Sequence, residues 1–182
     1  MDRRSVITVF GALAGGTLLA GHSPYRQWKL YRQAHLLLLT MRDDPRSDEL
    51  GERLAAALRA RLPDSRAQVA RAPDAQRIAS LLSSEQADVG LLQIGVARAL
   101  YRAEGAFADF GGVPLRVLVE VEGYRLVCRT DFRREHAYAV AEALSQAPRP
   151  ASLHVPLAVA EGDVPTHEGA LAFARGDTVP GA

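Results

Sequence analysis

Residues 35–62 read HLLLLTMRDDPRSDELGERLAAALRARL. His35 to Thr40 is a short continuous apolar run, the pattern of a strand buried on both faces. Asp44-Pro45 or Ser47 then opens a helix. A short polar side chain there can accept from the free N–H groups of the first turn, and proline is tolerated at the first helical position. Leu50, Leu54, Leu58 and Leu62 recur every four residues, so one side of the helix is apolar, and Pro63-Asp64-Ser65 ends it. A buried strand followed by an amphipathic helix is one βα unit.

The unit repeats. Ser65 to Ala70 offers a second strand, Asp74 after Pro73 is the N-cap of a helix burying Ile78, Leu81 and Leu82, and Val89 to Ile94 is a third strand. Strands separated by helices imply a parallel sheet with right-handed crossovers and the order 2-1-3 for these three. Further along, Leu115, Val117, Val119 and Val121 alternate with Arg116 and Glu120, Glu122-Gly123 makes a tight turn, and Tyr124 to Arg129 runs back. A helix over Asp131 to Ala147 carries Ala137, Val140, Ala141 and Leu144 on one side. Pro148 to Pro156 reads as a loop, and Thr166-His167-Glu168-Gly169-Ala170 starts a last short helix. The fold expected is a single α/β lobe over residues 35–176, a mostly parallel sheet flanked by helices, with the return strands beyond strand three and a frayed tail at 177–182. Leu36, Leu38, Leu50, Leu54, Leu58, Ile78, Leu82, Leu91, Val117, Val119 and Leu126 are expected to form one core.

With 182 residues, the chain is of one-domain length once a leader is subtracted. Its 22 Lys+Arg against 21 Asp+Glu leave a formal net charge of +1, so no global field gathers nucleic acid, and binding has to come from local groups. Cys128 is the single cysteine, which excludes an intrachain disulfide. It alternates with Tyr124 and Leu126 on one strand face, where it reads as a buried, inert thiol.

Residues 1–34 read as an export signal or membrane anchor. Arg3 and Arg4 precede the uncharged run Val6 to Gly21, and Asp2-Arg3-Arg4-Ser5-Val6-Ile7 resembles the twin-arginine motif S/T-R-R-x-F-L; an ordinary basic leader also contains two arginines. Leu19-Ala20-Gly21-His22 has histidine where a lipid-bearing cysteine would stand, so lipidation there is chemically excluded. As a helix, Val6 to Gly21 would span about 24 Å against a hydrocarbon core of about 30 Å. Tyr25, Trp28 and Tyr31 alternate with Arg26, Lys29 and Arg32, which suits a collar at a membrane interface and equally an exposed spacer. The localisation expected is periplasmic, with anchoring to the cytoplasmic membrane if the signal stays uncleaved.

Three segments carry a family resemblance. Ala87 to Arg102 (ADVGLLQIGVARALYR) resembles the mid-lobe strand and helix of TAXI-type solute-binding proteins, the extracytoplasmic receptors of some tripartite ATP-independent periplasmic (TRAP) transporters. Val117 to Leu144 resembles their late return segment, with Arg129, Asp131, Tyr138, Val140, Ala143 and Leu144 at matching places. Val164 to Gly176 resembles their terminal Pro-x-His-Pro-Gly-Ala turn, except that Glu168 replaces a proline. In that family a second lobe lies between the first and second of these segments. Its absence here implies half of a clamshell.

The resemblance implies a receptor for small carboxylates at the carboxyl ends of strands one to three, where Thr40, Arg42, Ser47, Arg71 and Gln93 are the candidate contacts. The family's Gly-rich turn is replaced by Thr40-Met41-Arg42-Asp43-Asp44-Pro45-Arg46-Ser47, so Arg42 or Arg46 and the N–H groups at the helix start would have to meet the carboxylate. A solvated turn explains the same residues. The alternative function is an exported accessory subunit that has lost ligand capture and docks onto transporter subunits or another exported protein. A receptor calls for convergent polar groups at the strand ends, a docking module for an apolar patch there. No cofactor and no metal site is expected, because His22, His35, His136, His154 and His167 lack metal-ligand spacing. No enzyme is expected either: the chain has no G-x-S-x-G elbow or phosphate loop, and a triad from Ser83-Ser84, Asp88 and His136 exists only on paper.

The twin-arginine reading has a direct test. Replacing Arg3 and Arg4 with lysine in a reporter fusion is expected to leave the product inside the cell, since that route reads the arginine pair itself. Undiminished export would assign the leader to the general secretory route.

Overall fold

The computed structural model describes residues 35–147 and 152–179. The leader at 1–34 with Arg3 and Arg4, the loop residues 148–151, and 180–182 of the tail lie outside the described residues.

Five strands and five helices follow one another as β1 (Leu37–Met41), α1 (Pro45–Arg61), β2 (Gln68–Ala72), α2 (Ala75–Ser83), β3 (Val89–Gln93), α3 (Ile94–Arg102), β4 (Leu115–Val121), β5 (Tyr124–Arg129), α4 (Arg134–Ser145) and α5 (Glu168–Arg175). The sheet order is β2-β1-β3-β5-β4, so the first three strands stand in the order read from the βαβαβ spacing and the return strands lie beyond β3. The sheet is mixed rather than mostly parallel. β1 pairs in parallel with β2 and β3, whereas β5 runs antiparallel to both β3 and β4. The cause is the turn: Glu122 (φ 50°) and Gly123 (φ 84°) take the two left-handed positions of a tight hairpin, which forces β5 back along β4.

Helices cover both faces, and the core is therefore two cores. From β1 to β2 and back across β1 to β3, right-handed crossovers require α1 and α2 on opposite faces. On one face α1, α4 and α5 pack on Leu36, Leu38, Val89, Leu91, Val119 and Leu126. On the other, α2 and α3 pack on Leu39, Met41, Leu92, Val117 and Val127, joined there by Ile78 and Leu82. The single core expected from sequence thus divides at the sheet, because alternate side chains of each strand point to opposite faces.

Local signals explain most element limits. Asp44 caps α1 through Ser47 N–H at 3.2 Å, with Pro45 at the first helical position, and Asp74 caps α2 through Arg77 N–H at 2.7 Å. β2 starts three residues later than expected. Pro63–Ser65 forms a short 3-10 turn and Arg66 adopts a left-handed conformation (φ 45°), so the chain is not extended until Gln68. Arg71 consequently lies inside the strand. Asp131 likewise precedes α4, which starts at Arg134.

The border strand β4 is covered by a segment running from His154 to His167. Glu120 and His154 exchange two backbone bonds (2.8 and 3.0 Å), the Val117 N–H donates to the Pro165 carbonyl at 2.9 Å, and the His167 N–H donates to the Val117 carbonyl at 2.8 Å. That pairing removes one open edge, an aggregation liability in exposed sheets. No helix among the described residues is long and apolar enough to cross a membrane.

His136 sits inside α4 at 1% exposure, edge-on to Phe132, with ring centroids 6.0 Å apart. Burial disfavours its imidazolium, and the nearby Arg133 adds to this, so its pKa falls to about 4 from 6.5. The unfolded chain takes up this proton first. The stability contributed is therefore whole above about pH 6.5 and is lost as pH falls toward about 4, a loss on the order of 3 kcal/mol. Urea midpoints measured from pH 7 to pH 4 are expected to drop less steeply in a His136→Leu variant than in the natural chain; equal slopes would contradict this.

Candidate functional site

The carboxyl ends of β1 and β3 and the start of β5 meet at one edge of the sheet, where register pairs Gln93 with Tyr124. α1 begins directly above, after the turn Arg42-Asp43-Asp44. Polar groups converge here as a receptor reading requires, but they converge on the chain's own carboxylates.

Two clusters divide the edge. In the first, the Asp48 carboxylate accepts from the Thr40 hydroxyl at 3.2 Å and from Arg71 Nε at 2.7 Å, while Arg71 Nη2 donates to Glu52 at 3.1 Å. The hydrogen bond and charge of Asp48 hold the Arg71 guanidinium more firmly protonated than usual. In the second, Asp44 accepts from Gln93 Nε2 at 3.1 Å and from the Tyr124 hydroxyl at 2.8 Å through the oxygen not used for capping α1. Burial opposes its charged form, but the bonds from Tyr124, Gln93 and the Ser47 backbone prevail and hold its carboxyl below the ordinary range. The β4–β5 turn closes the edge. Its Glu122 carboxylate receives Arg46 at 3.3 Å and Arg53 at 3.2 Å, both from α1.

The five candidate contacts therefore differ in fate. Thr40 and Ser47, at the two ends of the turn, are fully buried, whereas Arg42, Asp43, Pro45 and Arg46 between them are exposed, so the turn itself faces solvent. The Ser47 hydroxyl accepts from Met41 N–H at 3.4 Å and donates to the Leu91 carbonyl at 3.5 Å, which makes it a seam between α1, β1 and β3. Arg71 and Gln93 are exposed but engaged by carboxylates. Arg42 is exposed, and no carboxylate pairs with it among the described residues. Sequence reasoning missed Tyr124 and Asp44 as members of this edge. Asp44 was legible only as a helix cap, and its bond to Tyr124 spans 80 positions along the chain.

The terminal motif plays a different part from ligand contact. His167 Nδ1 accepts from Gly169 N–H at 3.0 Å and its Nε2–H donates to the Phe132 carbonyl at 2.8 Å, a geometry that selects the neutral Nε2–H tautomer. Burial lowers its pKa, and the Phe132 carbonyl opposes the shift. Gly169 lies so close to α4 that a Cβ there would run into the Arg134 carbonyl and touch Ala137. Ala170 is fully buried beside it. His, Gly and Ala at this spacing thus seal α5 onto the start of α4, with His167 as the cap of α5.

Other chemistry-bearing groups are structural too. The Cys128 thiol is buried, and desolvation pushes its pKa up, so it is a poor nucleophile. Ser83 and Ser84 both donate to the Ser80 carbonyl. No group of three or more His, Cys, Asp or Glu able to hold a metal ion occurs among the described residues. Comparison of the chain with family models, with curated proteins and with solved structures finds no match.

Two glycines test the packing account. Gly169→Ala forces backbone apart at α4–α5 and is expected to cost about 1–3 kcal/mol. Gly95→Ala, in α3 with nothing within 4 Å of the added methyl, is expected to stabilise by about 0.4–1 kcal/mol. Thermal or urea denaturation of both variants checks the contrast, and a neutral Gly169→Ala would refute the close crossing.

Proposed function

We propose that this chain is an exported single-lobe relative of the TAXI-type solute-binding proteins of TRAP transporters, meeting a small carboxylate from one side only and hence weakly. The observation that carries this reading is the convergence of Thr40, Arg42, Arg71, Gln93 and Tyr124 at the carboxyl ends of the strands, where open α/β sheets hold their ligands. The resemblances at Ala87–Arg102, Val117–Leu144 and Val164–Gly176 support it. Two-lobed receptors bury about 70–90% of a small ligand, and one wall forgoes contacts of about 1 kcal/mol each. Millimolar affinity follows.

One observation favours a second reading, an exported accessory subunit that has lost ligand capture and contacts a membrane transporter or another exported protein. Asp48 and Asp44 already accept the bonds that Arg71, Thr40 and Gln93 would offer a solute. The edge satisfies itself.

Asp48→Asn separates the two. It keeps an acceptor for Thr40 but releases the charge on Arg71, so glutamate or succinate binding is expected to tighten about fivefold, equivalent to about 1 kcal/mol. Calorimetry on a species whose mass is measured in parallel, with amide shifts at Arg42 and Gln93, reads the change. Binding absent from both proteins would discard the receptor reading and leave the accessory one. Micromolar binding by a proven monomer would overturn the half-clamshell account.

A further inference from the structure

Three arginines of the described chain are not fully exposed: Arg125 and Arg129 are buried, and Arg116 is half-buried. Arg125 is gripped by both oxygens of Asp163 and by Glu120 at 3.1 Å. Arg129 is gripped by both oxygens of Asp131 and by Glu85 at 3.1 Å. Each of these buried cations thus has two carboxylates, as the cost of burying charge requires. Arg116 breaks the pattern. Its Nη1 donates to the Leu115 carbonyl at 2.8 Å, and among the described residues no carboxylate lies within ion-pairing distance of it.

Arg116 opens on a cavity of about 290 Å³ that also contains Thr130, Phe132, Thr166, His167 and Glu168. This cavity is at the opposite end of the sheet from the Gln93–Tyr124 edge. Arg116 pairs with Cys128, which pairs with Val89 at the start of β3. The His167 ring is neutral with both nitrogens engaged, and the Thr166 hydroxyl donates to the Pro156 carbonyl at 2.7 Å. The exposed Thr130 hydroxyl makes no side-chain hydrogen bond among the described residues. The groups left with donors to offer are thus a guanidinium and a hydroxyl on one wall. A guanidinium presents a planar fork matched to the oxygens of a carboxylate or phosphate.

We propose that Arg116 and Thr130 hold a small oxyanion, a phosphate or carboxylate group, in this cavity. The anion supplies the partner that Asp163 and Asp131 supply to the other two arginines. Glu168, on the same lining, opposes it and favours a singly charged group over a doubly charged one. The site is independent of the strand-end reading and stands or falls apart from it.

The test is an amide-shift titration of the full chain with inorganic phosphate and, separately, acetate, at constant ionic strength in chloride. Saturable shifts at Thr130, Phe132 and Glu168 with one of the two anions are expected, and which anion acts tells a phosphate-bearing ligand from a carboxylate-bearing one. Arg116→Gln is expected to weaken binding at least tenfold, Arg116→Lys less, and Glu168→Gln to tighten it severalfold. Opposite signs at positions 116 and 168 would not arise from loss of structure. Shifts that are linear in concentration, that survive Arg116→Gln, or that appear only at Arg42 and Gln93 would overturn the proposal.

Discussion

The antiparallel seam between β3 and β5, five register pairs from Val89–Cys128 to Gln93–Tyr124, is the joint on which the rest of this fold depends. It is where the parallel half, β1 to β3 with its crossover helices, meets the hairpin half. Because strand side chains alternate, the seam also sorts chemistry. Tyr124, Leu126 and Cys128 turn toward α1, α4 and α5, while Val127 turns toward α2 and α3, and Arg125 and Arg129 alternate with the former set. Each of those two arginines needs carboxylates where it lies. Asp163 and Glu120 meet one, Asp131 and Glu85 the other. The Asp163 contact also draws the covering segment 154–167 against the hairpin, so the ion pairs that neutralise β5 help close the border of the sheet.

The parallel half was legible because its signals are local. A continuous apolar run, leucines every four residues, and Asp-Pro or Asp caps act within one turn or one strand, and each reports its own element. The hairpin was legible for the same reason, since Glu122-Gly123 is a two-residue turn. What sequence could not supply was long-range partnership. Asp44 carries a cap signature that is complete without Tyr124 or Gln93, and nothing near Arg71 in the chain marks Asp48 and Glu52 as its neighbours across β1 and α1. The strand-end edge could thus be named from the fold, yet its charge balance was invisible. Thr40, Arg71 and Gln93 were named as donors, but Tyr124 was not, and Asp48 and Glu52 were not recognised as acceptors.

The same distinction bears on the motifs that carry the family resemblance. His167, Gly169 and Ala170 satisfy the cap of α5, admit the Arg134 carbonyl and fill the core. Residues of these types would be needed wherever a last helix is pressed onto a preceding one at this distance, with or without a ligand. The departure at Glu168 fits that account. Position 168 is the first residue of α5 and is exposed, so a carboxylate there complements the helix N-terminus as well as a proline would pre-set its backbone. Residues whose types are explained by packing are evidence of architecture, and ligand chemistry has to be argued from other groups.

At the strand ends the decisive quantity is free charge. Asp44, Asp48, Glu52 and Glu122 stand against Arg46, Arg53 and Arg71, and every one of these arginines already has a carboxylate within about 3.3 Å. A solute carboxylate arriving at Arg46, Arg53 or Arg71 gains little Coulomb attraction, because the field of each of these guanidinium groups is cancelled at close range by an acid that is covalently part of the same wall and so is present at high effective concentration, which leaves Arg42 as the unpaired arginine of this edge among the described residues. Displacing Asp48 from Arg71 would also strip the Thr40 hydroxyl, which is fully buried, of its partner. Binding at this edge is therefore limited by competition from within the chain before the missing second wall is considered, and any mechanism that restores capture has to move an acid as well as add a wall.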